Sequence, residues 1–361
     1  MPRIMSVGTA LPSYSISQDE TMEFARELFS ESFRDIGRLL KVFHNGEIEK
    51  RYFAKNLDWF RKEHSFSEKN DAFIEAAIPL CSEAIQSCLG SPRLKKQVEH
   101  QEIDAIFMIC TSGLATPSLD ARLMNILPFS RHAKRIPIWG LGCAGGAAGL
   151  SRASEYCTAF PESKVLVIAV ELCSLTFQKD DMTKSNLVGT SLFADGAACA
   201  LVGGDAVPFM EYTQQNLPAV MDTQSALMDD SLGVMGWDIR DNGLYVVFSK
   251  SIPSLVEKWL EPNMTIFLNK HGLGSGDVDH FIAHPGGKKV LAAYEEALRL
   301  SPGKTDVSLD VLRRHGNMSS ATVLFVLKEF MDKDVSAGEH GIIAALGPGF
   351  SSELLLVRWE S

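Results

Sequence analysis

The stretch Trp139-Gly-Leu-Gly-Cys-Ala-Gly-Gly-Ala-Ala148 sets one cysteine among residues too small to crowd it. Glycines on both sides permit a tight strand-to-helix turn and leave room over the sulfur for a substrate. The residues that follow predict a helix over Ala144 to Cys157. Upstream, the apolar run Ala105 to Ile109 reads as a strand ending in Cys110-Thr-Ser-Gly113, and downstream Val165 to Glu171 and Ala197 to Val202 read as two more. The same order returns later in the chain. Asp279-His-Phe-Ile-Ala-His-Pro-Gly286 carries a strand over Phe281 to Ala283, Gly316-Asn-Met-Ser-Ser320 opens a helix over Ser319 to Met331, and strands over Gly341 to Ala345 and Glu353 to Arg358 close the unit. This loose internal repeat divides the chain into two pseudo-equivalent halves, 1–205 and 206–361, of an α/β fold. Cys143 and Asn317 then occupy equivalent places at helix N-termini, and His284 arrives beside them from a strand end. Further helices are expected over Asp19 to Phe33, Lys69 to Cys88, Pro117 to Leu127, Ile252 to Lys270 and Gly287 to Arg299.

Composition narrows the classes of function. With 361 residues, 45% of them hydrophobic, the chain can bury a full core. A formal net charge of −10 argues against general affinity for nucleic acid or anionic lipid, which needs a surplus of Lys and Arg on some face. The apolar runs Ala105 to Cys110 and Val165 to Val170 are far shorter than the roughly 20 residues that span a bilayer, and Met1 to Gln18 has no signal-peptide pattern. A cytoplasmic protein without stable membrane insertion is expected. The seven cysteines are odd in number and scattered, with no zinc-site spacing, so they read as free thiols and no metal is expected.

Three segments carry residues suited to one chemistry. A thiol at a helix N-terminus is favoured as thiolate by the free N–H groups, and a neighbouring imidazolium would favour it further. The thiolate is the species that attacks thioesters. His284, in Ile282-Ala-His-Pro-Gly-Gly287, leaves its strand where Pro and Gly force a turn, a usual place for functional groups. Asn317 taken alone fits a plain helix cap as well, and Cys143 or His284 alone fits a buried core residue. Together they fit acyl transfer: Cys143 accepts the acyl group while His284 and Asn317 hydrogen-bond a thioester oxygen as charge develops there, as when malonyl-CoA loses carbon dioxide.

Gly142-Cys-Ala-Gly-Gly146, Ile282-Ala-His-Pro-Gly-Gly287, Gly316-Asn-Met-Ser-Ser-Ala321 and Gly347-Pro-Gly-Phe350 stand in the order found in type III polyketide synthases, and the chain resembles that chalcone-synthase-like branch of the thiolase superfamily over nearly its whole length. The resemblance implies a five-layered αβαβα thiolase fold, a homodimer, and repeated condensation of malonyl-CoA onto an acyl-CoA starter. It implies neither an acyl carrier protein nor a cofactor beyond the thioesters. Leu192-Phe-Ala-Asp-Gly-Ala197 resembles the gatekeeper segment, putting Phe193 between a coenzyme A tunnel and the cavity. Arg38 and Lys41 match two basic residues used at the coenzyme A phosphates, the third position being Asn45 here. Lys288 stands where plant relatives have an uncharged residue and is either a replacement phosphate contact or an exposed helix-start lysine.

Departures from plant chalcone synthases bear on substrate. Val246 replaces a second gatekeeper phenylalanine and Cys173 a threonine, so the cavity is expected to be more apolar and, at Val246, larger. This resembles bacterial members that make alkylpyrones or alkylresorcinols from fatty acyl-CoA. Thr111, Ser112, Thr116, Thr176 and Ser319 fall at other cavity-lining positions, though their hydroxyls can equally cap helices or bond backbone. The rivals are a single-condensation ketoacyl synthase III or hydroxymethylglutaryl-CoA synthase relative and a catalytically dead acyl-CoA-binding homologue. A dinucleotide-binding reading fails for want of the full glycine fingerprint with its downstream acid.

Overall fold

The computed structural model describes residues 1–30, 36–249 and 251–361. Its strands are β1 (Arg3–Ala10), β2 (Tyr14–Ser17), β3 (Lys50–Phe53), β4 (Ala105–Ile109), β5 (Lys134–Ile138), β6 (Lys164–Leu172), β7 (Asp195–Gly203), β8 (Leu217–Leu227), β9 (Met235–Arg240), β10 (Gly243–Phe248), β11 (His280–Ala283), β12 (His340–Gly347) and β13 (Ser351–Glu360). Nine of them form one sheet in the order β11-β12-β13-β8-β1-β7-β6-β4-β5. The sheet is two copies of one arrangement joined back to back, β1 meeting β8 at Arg3 and Ala219. Outward from that seam, β1-β7-β6-β4 and β8-β13-β12-β11 run through the same series of antiparallel, antiparallel and parallel pairings.

Three hydrophobic cores make this a five-layered αβαβα structure. The helix Phe66–Leu89 covers the outer face of the first half and buries Phe73, Ala77, Cys81, Ala84, Ile85 and Cys88. Between the halves lie the helices Gly145–Ala159 and Thr322–Met331. Glycine and alanine along the first of these let it sit against both sheets, and Val323, Leu324, Val326 and Leu327 of the second are fully buried. On the far face, Phe267, Leu268, Leu291 and Tyr294 of the helices Glu261–Asn269 and Lys288–Ala297 pack on β11, β12 and β13. Strands buried on both faces lose their alternation, which is why β7 is buried at all nine positions.

Some expected elements differ. The Pro117 to Leu127 helix shrinks to Leu119–Leu123. The Ile252 to Lys270 helix runs without a gap from Ile252 to Asn269 but widens to a π turn over Val256–Leu260, just before Pro262, which cannot donate to the preceding turn. The first helix spans Gln18–Phe29, and Phe33 at its expected end lies outside the described residues. By length and composition Phe66–Leu89 is long and apolar enough to cross a membrane, but half of that window is buried in the core.

Candidate active site

Both halves build the same device at the inner helix starts. Cys143 sits in a short 3-10 turn, Gly142–Ala144, that runs into the helix Gly145–Ala159. Gly142 has φ +48°, and a Cβ there would stand 2.6 Å from Pro348 Cδ. Asn317 follows Gly316, whose φ is +74° and whose Cβ would stand 2.7 Å from Arg51 Cγ. Only glycine fits either place. A 3-10 turn over Ser319–Ala321 then leads into the helix Thr322–Met331. The Gly347-Pro-Gly-Phe350 motif gains its role here, packing against the turn that carries Cys143.

The three reactive segments converge. Asn317 pairs with the Phe193 segment: its N–H donates to Leu192 O at 2.9 Å and its carbonyl accepts from Ala194 N–H at 2.9 Å. Its Oδ1 accepts from Ser319 N–H at 2.8 Å and its Nδ2 donates to Gly286 O at 3.4 Å, two residues from His284. The side chains of Asn317 and Ser319 lie close enough to the Cys143 sulfur to favour its thiolate. His284 leaves β11 with its N–H on Ala344 O, and among the described residues neither buried ring nitrogen has a hydrogen-bond partner.

The resting charges differ from the sequence expectation of a thiolate beside an imidazolium. Burial pushes the Cys143 thiol up to about 11, opposed by the Ser319 and Asn317 side chains and reinforced by the charge of Glu171. Burial lowers His284 to about 3. The free chain therefore holds a neutral thiol and a neutral imidazole. A pH test follows. From the unfolded value near 6.5 down to about 3, the unfolded chain binds a proton that folded His284 refuses. Stability is thus fully present above pH 6.5 and falls by about 1.4 kcal/mol per pH unit below it. Chemical denaturation at pH 7 and pH 5 should show the parent losing about 2 kcal/mol more than His284→Asn. Equal losses would mean that the ring is not held neutral.

Behind the sulfur lies a group that the motifs did not reveal. Glu171, fully buried at the end of β6, accepts through Oε2 from Thr111 N–H (3.0 Å), Ser112 N–H (2.9 Å) and Ser112 Oγ (2.6 Å). Through Oε1 it accepts from Ser320 Oγ at 2.6 Å, tying the first half to the Asn317 turn. Thr111 Oγ1 in turn accepts from Gly142 N–H at 3.1 Å, one residue from Cys143. The signal was a lone acid closing the apolar run Val165 to Val170.

The expected cavity residues divide. Cys173, Thr176, Phe193 and Val246 line one cavity of about 40 Å³, walled also by Phe24, Phe53, Leu57, Phe60 and Phe177. Cys143, His284 and Asn317 are not in that lining; Phe193 links the two places, its ring in the cavity and its backbone on Asn317. Ser319 joins the sulfur instead, while Thr111 and Ser112 belong to the Glu171 network. Thr116 is a correction: it is exposed on a surface turn before Pro117, where nothing in the single chain covers it. Trp237 lies directly across the β9–β10 hairpin from Val246, its ring centroid 5.7 Å from that of Phe193. The cavity is not wholly apolar, because the buried guanidinium of Arg51 and the side chain of Asn186 face it. Arg38 and Lys41 are exposed on short helices, and Lys288, at the start of its helix, donates to Glu47.

A five-layered fold of two like halves, with Asn317 acting on Cys143 and tied to the turn after His284 through Gly286 O, is that of the acyl-transferring enzymes of the thiolase fold class. Residues 1–206 match the chalcone and stilbene synthase N-terminal domain and residues 219–359 the corresponding C-terminal domain. The chain belongs to that family, the type III polyketide synthases. A Bacillus subtilis (strain 168) protein provisionally named a chalcone synthase is 52% identical over 100% of this chain and 99% of its own. The 1,3,6,8-tetrahydroxynaphthalene synthase of Streptomyces peucetius subsp. caesius is 36% identical over 99% of this chain and 93% of its own. The crystal structure of the Streptomyces coelicolor A3(2) 1,3,6,8-tetrahydroxynaphthalene synthase superimposes with a TM-score of 0.90, at 27% identity and 99% coverage of both chains.

Proposed function

We propose that this polyketide synthase condenses malonyl-CoA onto a long-chain acyl-CoA starter and releases alkylpyrones or alkylresorcinols. Neutral His284 takes the Cys143 proton as the sulfur attacks the starter thioester, and coenzyme A leaves as its thiol with that proton. His284 and Asn317 then donate hydrogen bonds to the carbonyl oxygen of malonyl-CoA as it loses carbon dioxide. The resulting enolate carbon attacks the acyl group on Cys143, forming the new carbon–carbon bond and releasing the sulfur. This chemistry draws on nothing beyond the two thioesters. The reading carries a homodimer and no acyl carrier protein, with the exposed Leu114, Thr116 and Trp139 as part of the face for a second copy.

The observation that supports the starter is the aromatic- and aliphatic-walled cavity beyond Phe193. Each methylene buried there adds about 0.8 kcal/mol, or roughly a fourfold preference. Mass spectrometry of products from malonyl-CoA with a ladder of starters is expected to give pyrones or resorcinols, strongest with long chains. Val246→Phe, whose new ring would fill space opposite Gly189, is expected to lower the preference for dodecanoyl-CoA over butanoyl-CoA by at least about tenfold. An unchanged ratio would remove Val246 from the cavity wall. A second reading, malonyl-CoA as both starter and extender, draws on the 36% identity to a tetrahydroxynaphthalene synthase. An aromatic product from malonyl-CoA alone would establish it in place of the first.

A further inference from the structure

The helix Lys184–Leu192 ends beside the reactive groups, and its last carbonyls have no partners within the helix itself. Donors from distant parts of the chain take them instead. Leu192 O accepts from Asn317 N–H, Ser191 O accepts from Gln18 Nε2 at 2.9 Å, and Arg51 Nη1 donates both to Thr190 O (2.6 Å) and to Phe193 O (2.8 Å). Arg51 and Gln18 arrive together: Ile16 faces Arg51 across the β2–β3 ribbon, and Gln18 N–H donates to Glu49 O.

Arg51 is fully buried, and among the described residues its Nε and Nη2 have no hydrogen-bond partner. Burial lowers its guanidinium to about 9, so it stays charged near neutral pH. A buried cation with idle nitrogens is a poor way to hold a fold together, because apolar side chains of similar volume pack there without the loss of hydration. Its placement is specific. The head meets the negative end of a helix, where a cation is favoured, and the stem packs under Gly316, the residue before Asn317. One side chain thus touches both partners of the Phe193–Asn317 bridge.

We infer that Arg51, seconded by Gln18, is a positioning residue for condensation: it fixes the end of the helix Lys184–Leu192 so that the bridge aims the Asn317 amide at the reacting thioester. The inference rests on the reading of Asn317 as a donor to the malonyl-CoA oxygen and adds the group that holds it in place. On that reading, loading of Cys143 needs the sulfur and His284, whereas loss of carbon dioxide needs Asn317 as well.

The test measures the two steps apart: acylation of Cys143 by butanoyl-CoA, followed by intact-protein mass spectrometry, and conversion of malonyl-CoA to acetyl-CoA and carbon dioxide without a starter. In Arg51→Met the second is expected to fall about ten- to a hundredfold, as a reacting group displaced by about 1 Å would cause, with the first within about threefold of the parent. On an Asn317→Ala background the same substitution should change decarboxylation by less than about threefold, because the group that it aims is gone. No fall in decarboxylation, equal falls in both steps, or a fall that adds in full to that of Asn317→Ala overturns the inference. If Arg51→Met does not fold, Gln18→Leu undergoes the same comparison: a fall of about three- to tenfold in decarboxylation alone is expected, and an unchanged rate overturns the inference. A folded parent that acylates Cys143 but releases no carbon dioxide overturns the reading of Asn317 together with the inference.

Discussion

Cys143→Ala is expected to lower condensation at least about a thousandfold while leaving the fold in place. The chemical loss is large because alanine has no group that can take up the acyl chain in the sulfur's place. The structural loss is small because alanine suits the 3-10 turn Gly142–Ala144 and the helix that follows, and Cys143 is only half-buried. What is given up is the sulfur's contact with the Ser319 and Asn317 side chains. Intact-protein mass spectrometry after incubation with an acyl-CoA should show one added acyl group on the parent and none on the variant, with matching circular dichroism spectra. Product formation within tenfold of the parent would remove Cys143 as nucleophile. Failure of the folded parent to acylate would restore the acyl-CoA-binding reading.

The sequence made the repeat visible because each half needs glycine at the same point. Gly142 and Gly316 both precede the functional residue and both adopt positive φ, so selection for geometry left a mark in the letters. Inner strands such as β4 and β7 were legible for a similar reason, since burial on both faces demands unbroken apolar runs, whereas β1, also inside the sheet, was not read as a strand. Strands of mixed burial were not. β5, at the sheet's edge, carries charge and Pro137 because its outer side has no partner strand, and β8, inside the sheet, begins buried and ends exposed, so neither shows a clean period. The site divided along the same line. Cys143, His284 and Asn317 announce themselves through the turns around them, whereas Glu171, Arg51 and Trp237 act through partners far away in the chain. Glu171 meets Ser320 across 149 positions, and nothing local to either residue records the contact.

Glu171 is therefore the place where removal of a residue without a recognised motif should cost most. In Glu171→Ala, three donors from the Thr111 and Ser112 segment and one from Ser320 lose their acceptor in a site closed to water. Leaving such groups unpaired costs about 1–3 kcal/mol for each of the worst cases, and a loss of roughly 3–5 kcal/mol is expected after relaxation. Against a total stability of about 5–15 kcal/mol this is a severe variant. Glu171→Gln separates shape from charge. Its amide oxygen can keep the Thr111 and Ser112 donors while its NH₂ donates to Ser320 Oγ, which as a hydroxyl can accept as well as donate. Stability should return to within about 1–2 kcal/mol of the parent. The charge, however, is gone, and that charge is one of the causes holding the Cys143 thiol up. Alkylation of Cys143 by iodoacetamide near neutral pH should accordingly run several-fold faster in Glu171→Gln than in the parent. A Gln variant as unstable as the alanine one would show that the network needs the carboxylate itself. An unchanged alkylation rate in a stable Gln variant would show that the sulfur does not feel its charge, leaving Glu171 as a strut between the two halves.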